Sequence, residues 1–122
     1  MKALIVDDEP LARSRLARLL EGMDDVETIG EASTGREAIQ QSDSLDPDIV
    51  LLDIRMPEMD GLEAAMHLSQ LDNPPAIIFT TAYNEHALAA FEANAVDYLL
   101  KPIRRERLAD ALARARRINR AQ

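Results

Sequence analysis

The chain has 122 residues, 47% hydrophobic and 30% charged, the size and balance of one globular domain that can bury a core. It has no cysteine and only two histidines, His67 and His86, which excludes disulfides, thiol catalysis and Cys-ligated zinc and leaves little for a histidine-based metal site or a Ser-His-Asp triad. The net charge of −8 is uneven: residues 1–100 carry 20 acidic and 6 basic side chains, residues 101–122 carry 2 and 8, so the body repels nucleic acid and suits divalent cations.

Ala3-Leu4-Ile5-Val6 reads as a buried strand ended by Asp7-Asp8. Pro10 suits the first turn of a helix, whose apolar positions are Leu11, Leu16, Leu19, Leu20 and Met23, with Arg13, Arg15 and Arg18 facing out. Residues 26–32 form a second strand, less apolar and so placed at the sheet edge. Thr34-x-x-Glu37 has capping-box spacing and opens a second helix. After the turn Asp46-Pro47-Asp48, Ile49-Val50-Leu51-Leu52 is a fully apolar strand ended by Asp53. Asp60-Gly61 signals a turn, and the helix after it places Leu62, Ala65, Met66 and Leu68 roughly on one side before Pro74-Pro75. Ala76-Ile77-Ile78-Phe79 is a fourth strand, ended by Thr80-Thr81. A helix is predicted from about Glu85 to Asn94, then a fifth strand, Tyr98-Leu99-Leu100, ended by Lys101-Pro102. The last helix carries Leu108, Ala111, Leu112 and Ala115 at helical spacing.

Five strands alternating with five helices predict a doubly wound α/β fold: a five-stranded parallel sheet with helices on both faces. The strands are apolar runs rather than alternations, which agrees with burial on both faces. In such a sheet all strand carboxyl ends share one edge, where ligands bind. Asp7-Asp8, Asp53, Thr80-Thr81 and Lys101 each follow an apolar run and so converge there. Three close carboxylates repel one another and invite a hard cation, for which oxygen ligands select Mg²⁺ or Ca²⁺. A carboxylate, a metal, an ammonium and a hydroxyl are the parts needed for phosphoryl transfer to an aspartate.

The runs Leu4-Ile5-Val6-Asp7-Asp8-Glu9-Pro10, Leu51-Leu52-Asp53-Ile54-Arg55-Met56-Pro57 with Asp60-Gly61, Thr81-Ala82 and Tyr98-Leu99-Leu100-Lys101-Pro102 occur in order. With these, the chain resembles a response-regulator receiver over nearly its whole length. Residues 90–102 resemble more narrowly the receivers of LytTR-type transcriptional regulators of the alginate-regulator kind. The resemblance implies a flavodoxin-like (β/α)5 fold of strand order 2-1-3-4-5, with residues 1–117 as the receiver and 118–122 as a linker start or frayed end. It implies that Asp53 is the phosphoacceptor, taking a phosphoryl group from a histidine kinase with Mg²⁺ as cofactor. Asp8, Asp53 and the backbone carbonyl of Arg55 would ligate the metal, with Asp7 acting through a metal-bound water. Lys101 would pair with the phosphoryl group, Thr81 would hydrogen-bond it, and Tyr98 would swing inward as the switch aromatic. Pro102 would follow a cis peptide bond. Position 55 and Tyr83 correspond to places where receivers tune the acyl-phosphate lifetime. The output would be a C-terminal LytTR DNA-binding domain outside this chain, reached through the face at residues 85–117. That face, acidic at Glu92 and Asp97 and basic further on, favours a symmetric homodimer. Such a protein catalyses nothing beyond its own phosphorylation and dephosphorylation.

Blander readings stand beside these. Asp7-Asp8 also suits a helix N-terminus, Thr81 a helix cap, Tyr98 a half-buried strand and the basic end a solvated helix face. His67 and His86 read as exposed helix residues, while Tyr83, His86 and Phe91 suit either a partner surface or, for Phe91, the core. An Asp-nucleophile phosphatase of the haloacid-dehalogenase kind wants a second acid two positions after the first, where Arg55 stands. A receiver-like module that has abandoned phosphorylation usually lacks an acid, the threonine or the lysine. A nucleotide-binding flavodoxin-like protein lacks its glycine motifs in this chain. No apolar run approaches a membrane span, and the first strand-like run starts at Lys2 with no signal peptide before it, so a cytoplasmic protein is expected.

Overall fold

The computed structural model describes residues 1–84, 89 and 94–121. In chain order the elements are β1 (Lys2–Val6), α1 (Pro10–Glu21), β2 (Glu27–Ala32), α2 (Gly35–Leu45), β3 (Ile49–Asp53), α3 (Gly61–Leu68), β4 (Ala76–Thr81), β5 (Asp97–Leu100) and α4 (Arg105–Ala121). The helix expected over 85–94 falls almost wholly outside the described residues. The five strands are parallel and lie in the order β2-β1-β3-β4-β5, the flavodoxin-like order expected.

Alternation along the strands feeds two cores. Leu4 and Val6 of β1, Val50 and Leu52 of β3 and Phe79 of β4 pack on the α2 and α3 side with Ala38, Ala64 and Leu68. Ala3, Ile5, Ile49, Leu51 and Ile78 pack on the other side with Leu16 and Leu20 of α1 and Leu108, Leu112 and Ala115 of α4. Each fully buried Leu or Ile contributes about 1.5–3 kcal/mol of transfer free energy, which is why both faces of the central strands are apolar. β2, with its mixed burial, is an edge strand as its polarity predicted.

Local chemistry sets the element ends. The Thr34 hydroxyl accepts from the Glu37 backbone N–H at 3.1 Å and caps α2. The Glu37 carboxylate accepts from the Ser33 N–H and hydroxyl, so the reciprocal half of the box falls one residue earlier than its spacing suggests. These bonds hold the Glu37 carboxyl below its usual pKa. Asp60 caps α3 through the Glu63 N–H at 2.9 Å.

Two apolar residues leave the face expected of them. Leu11 is 69% exposed and Met66 64% exposed. At 3.6 residues per turn Leu11 lies roughly opposite Leu20, and Met66 opposite Leu68, and it is Leu20 and Leu68 that meet the sheet. Arg15 and Arg18 face solvent, but Arg13 does not: its side chain turns back over the end of β1.

Candidate functional site

Register brings the acids together. Val6 pairs with Leu52, so Asp7 and Asp53 leave adjacent strands side by side. Asp53 in turn pairs with Thr80 of β4, and Thr81 pairs with Leu100, whose successor is Lys101. Backbone bonds from Ile54 N to Thr80 O (3.1 Å) and from Lys101 N to Thr81 O (2.8 Å) continue the ladder into the loops. The Lys101–Pro102 peptide bond is cis.

Carboxylate oxygens of Asp7, Asp8 and Asp53 lie within 4.8 Å of one another. Asp7 and Asp53 are each 4% exposed, and Asp8 is the more open acid. The Lys101 ammonium donates to Asp7 Oδ2 at 2.7 Å and to Asp53 Oδ1 at 3.4 Å, so it sits nearer Asp7 than the phosphoacceptor candidate. Burial works against the ammonium, but the Asp7 hydrogen bond and the Asp53 and Asp7 charges outweigh it and hold the Lys101 pKa above its usual value. Burial, then the Asp7 charge, push the Asp53 carboxyl up to about 7 against the pull of Lys101, and the Asp8 charge adds to the rise. One ammonium does not neutralise this cluster. All-oxygen donors, three close acids and a carboxylate whose charge is poorly compensated are the setting a hard divalent cation fits.

The buried Thr81 hydroxyl accepts from the Tyr83 N–H at 3.1 Å. The Tyr98 hydroxyl donates to the Tyr83 carbonyl oxygen while its half-buried ring packs against the α2 and α3 core. Arg55, exposed in the loop after β3, lays its guanidinium over the Tyr83 ring at 4.3 Å from the centroid. The two positions expected to vary thus touch each other beside the acid cluster. Asp97 accepts from Arg107 at 3.2 Å and from Arg114, so its charge is met within the chain. His67 is exposed, and His86 and Phe91 lie outside the described residues.

Two supporting residues escaped sequence reasoning. A Cβ on Gly61 would stand 2.2 Å from the Asp53 carbonyl oxygen and 2.8 Å from Ile54 Cα. The Asp60-Gly61 pair is therefore more than a turn signal, because α3 starts in direct backbone contact with the end of β3. Arg13 donates to the Asp7 backbone carbonyl oxygen at 2.6 Å and to Glu31 Oε1 at 3.2 Å. Only its place in the first turn of α1 hinted at this.

Fold and acid pocket together define a receiver-type signalling module. Residues 3–113 match the model of the response regulator receiver domain. The chain is 57% identical over 123 aligned positions to the positive alginate biosynthesis regulatory protein of Pseudomonas aeruginosa, covering all of this chain and 50% of that protein. It is 45% identical over 122 to the sensory transduction protein LytT of Bacillus cereus, again covering all of this chain and 50% of the relative. The response regulatory domain of protein mrkE from Klebsiella pneumoniae superposes with a TM-score of 0.89 at 35% identity, with both chains fully covered. The chain belongs to the response-regulator receiver family. It spans about half the length of the curated relatives it matches. Receiver domains are non-enzymatic modules of two-component systems, typically phosphorylated by histidine kinases, and they bind Mg²⁺ at an acidic pocket. No helix among the described residues is long and apolar enough to cross a membrane.

Proposed function

We propose that this chain is a phosphoacceptor switch that takes a phosphoryl group on Asp53 from a histidine kinase in a Mg²⁺-dependent reaction. The observation that carries the reading is the cluster of Asp7, Asp8 and Asp53 with the Lys101 ammonium at the carboxyl edge of a parallel sheet. An Asp53 carboxylate oxygen attacks the phosphorus of the donor phosphohistidine. The P–N bond breaks, and its electron pair leaves with the imidazole, which takes up a proton. Asp8, Asp53 and the Arg55 carbonyl oxygen would hold the metal, and Asp7 would act through a metal-bound water. Mg²⁺, when bound, offsets the charge on the phosphoryl oxygens. Lys101 exchanges its Asp7 contact for a phosphoryl oxygen, and the Thr81 hydroxyl, whose oxygen accepts from the Tyr83 N–H, turns its own O–H to another.

Tyr98 then turns inward and releases the Tyr83 carbonyl, so the face at residues 85–117 has two forms that phosphate biases. In this reading residues 1–117 are the receiver and 118–122 the start of a linker or a frayed end, although α4 runs on to Ala121. Homodimerisation through the same face has a narrower charge basis than the sequence suggested, because Asp97 is already paired with Arg107 and Arg114. The reading extends to a transcriptional output through a C-terminal LytTR DNA-binding domain in a cytoplasmic regulator; the chain spans about half the length of relatives whose names say regulatory protein and sensory transduction protein. Apart from its own phosphorylation and dephosphorylation, the chain catalyses nothing. Mass spectrometry after incubation with acetyl phosphate and Mg²⁺ tests the assignment. One phosphoryl group is expected on Asp53, with none on Asp53→Asn or after chelation. A phosphoryl group retained by Asp53→Asn refutes it.

A further inference from the structure

Arg13 approaches the acid cluster from behind. It stands in the first turn of α1, and its side chain is 19% exposed. One terminal nitrogen donates to the Asp7 backbone carbonyl oxygen at 2.6 Å, and Nε donates to Glu31 Oε1 on edge strand β2 at 3.2 Å. Glu31 is itself fastened, because its backbone carbonyl oxygen accepts from Gln41 Nε2 on α2 at 2.8 Å.

Asp7 is therefore held at four points. Its N–H donates to Ala32 O at 3.1 Å, its carbonyl oxygen accepts from Arg13, its Oδ1 accepts from the Glu9 N–H at 2.9 Å, and its Oδ2 accepts from Lys101 at 2.7 Å. Asp8 is the contrast, since none of the described residues hydrogen-bonds its carboxylate. Its direction is inherited from the backbone. The peptide joining Asp7 to Asp8 is planar, so anchoring the Asp7 carbonyl fixes the plane from which the Asp8 Cα projects.

We propose that Arg13 is a positioning residue for the divalent-cation site. By pinning the Asp7-Asp8 peptide to β2 it aims the free Asp8 carboxylate at Asp53. The inference rests on the reading of the cluster as a Mg²⁺ pocket. It differs from a charge effect in sign. A guanidinium beside the pocket repels a cation, so on charge alone its removal tightens Mg²⁺ binding. If Arg13 acts by position, its removal weakens binding.

The experiment is calorimetric titration of the folded chain with Mg²⁺, for wild type, Arg13→Met and Arg13→Lys, at a temperature where circular dichroism shows each fully folded. Arg13→Met is expected to weaken binding about tenfold, the lower end of what lost support of metal ligands does. Arg13→Lys keeps the charge and a donating ammonium but not the planar fork, and recovers part or all of that loss. Arg13→Gln takes the place of the methionine variant if that variant does not fold. Binding by the neutral variant as tight as wild type, or tighter, overturns the proposal, as does a lysine variant that recovers nothing. A wild type that takes up no Mg²⁺ removes the switch reading and this one with it. A wild type that binds beside an unaffected Arg13→Met overturns Arg13 alone.

Discussion

Replacing Asp53 by Asn should stabilise the metal-free protein at neutral and alkaline pH. In the folded chain burial and the Asp7 charge lift this carboxyl from its ordinary 3.8 to about 7. Below pH 4 the side chain is protonated in both folded and unfolded chains and contributes nothing to the pH dependence. Between about 4 and 7 the unfolded chain gives up the proton and the folded chain keeps it, so wild-type stability falls as pH rises. Above 7 both are ionised and the loss is complete. The gap between 3.8 and about 7 corresponds to at most ~4 kcal/mol at 1.36 kcal/mol per pH unit. Solvent reaching the pocket mouth and relaxation of Lys101 reduce this to about 2 kcal/mol. Asparagine is neutral at every pH and close in shape to the protonated acid. Urea denaturation in chelator at pH 5 and pH 8 measures the difference. Asp53→Asn should gain about 2 kcal/mol over wild type at pH 8, roughly 8 °C in melting temperature for a domain of this size, and much less at pH 5. An advantage that is absent at pH 8, or equal at both values, refutes the argument that an uncompensated charge is buried there.

Mg²⁺ should remove the same strain. At a hundredfold excess over its Kd it is expected to stabilise wild type by about 2.7 kcal/mol, and Asp8→Asn should lose most of that gain in a thermal melt. A melting curve of wild type indifferent to Mg²⁺ counts against the pocket. Gly61→Ala puts a methyl group 2.2 Å from the Asp53 carbonyl oxygen, where only backbone can yield, and is expected to cost about 3 kcal/mol or more in urea denaturation. A change below ~0.5 kcal/mol would show that β3 and α3 part easily. Arg55→Ala takes the guanidinium off the Tyr83 ring; if that stack screens the acyl phosphate from water, phosphoryl loss from Asp53, followed by mass spectrometry over time, should speed up severalfold. An unchanged rate leaves the stack without a part in the chemistry.

The sheet was legible because parallel strands covered on both faces must be apolar throughout, and Ile49 to Leu52 advertises that without help from neighbours. The site was legible for the same reason. A polar residue that directly follows such a run must lie at the carboxyl edge, which placed Asp7, Asp8, Asp53, Thr81 and Lys101 together before any distance was known. What periodicity does not carry is which of several apolar residues on a short helix meets the sheet. Leu11 and Met66 obey the composition of a buried face and yet point to solvent, because the rotation of a helix about its axis is set by its partners. Nor does sequence spacing carry contacts between elements. Arg13 reads as an outward-facing helix residue until β2 and its Glu31 stand beside β1, and Gly61 reads as a turn until the start of α3 is pressed against the Asp53 carbonyl. Lys101 was assigned to the phosphoryl group from its order in the chain, and only the packing shows that its ammonium bridges two acids and sits nearer Asp7 than Asp53. The residue types and their order along the chain thus determined the chemistry available. Tertiary packing decided which acids are held, which carboxylate has no hydrogen bond among the described residues, and how far the Asp53 carboxyl is pushed from its ordinary acidity.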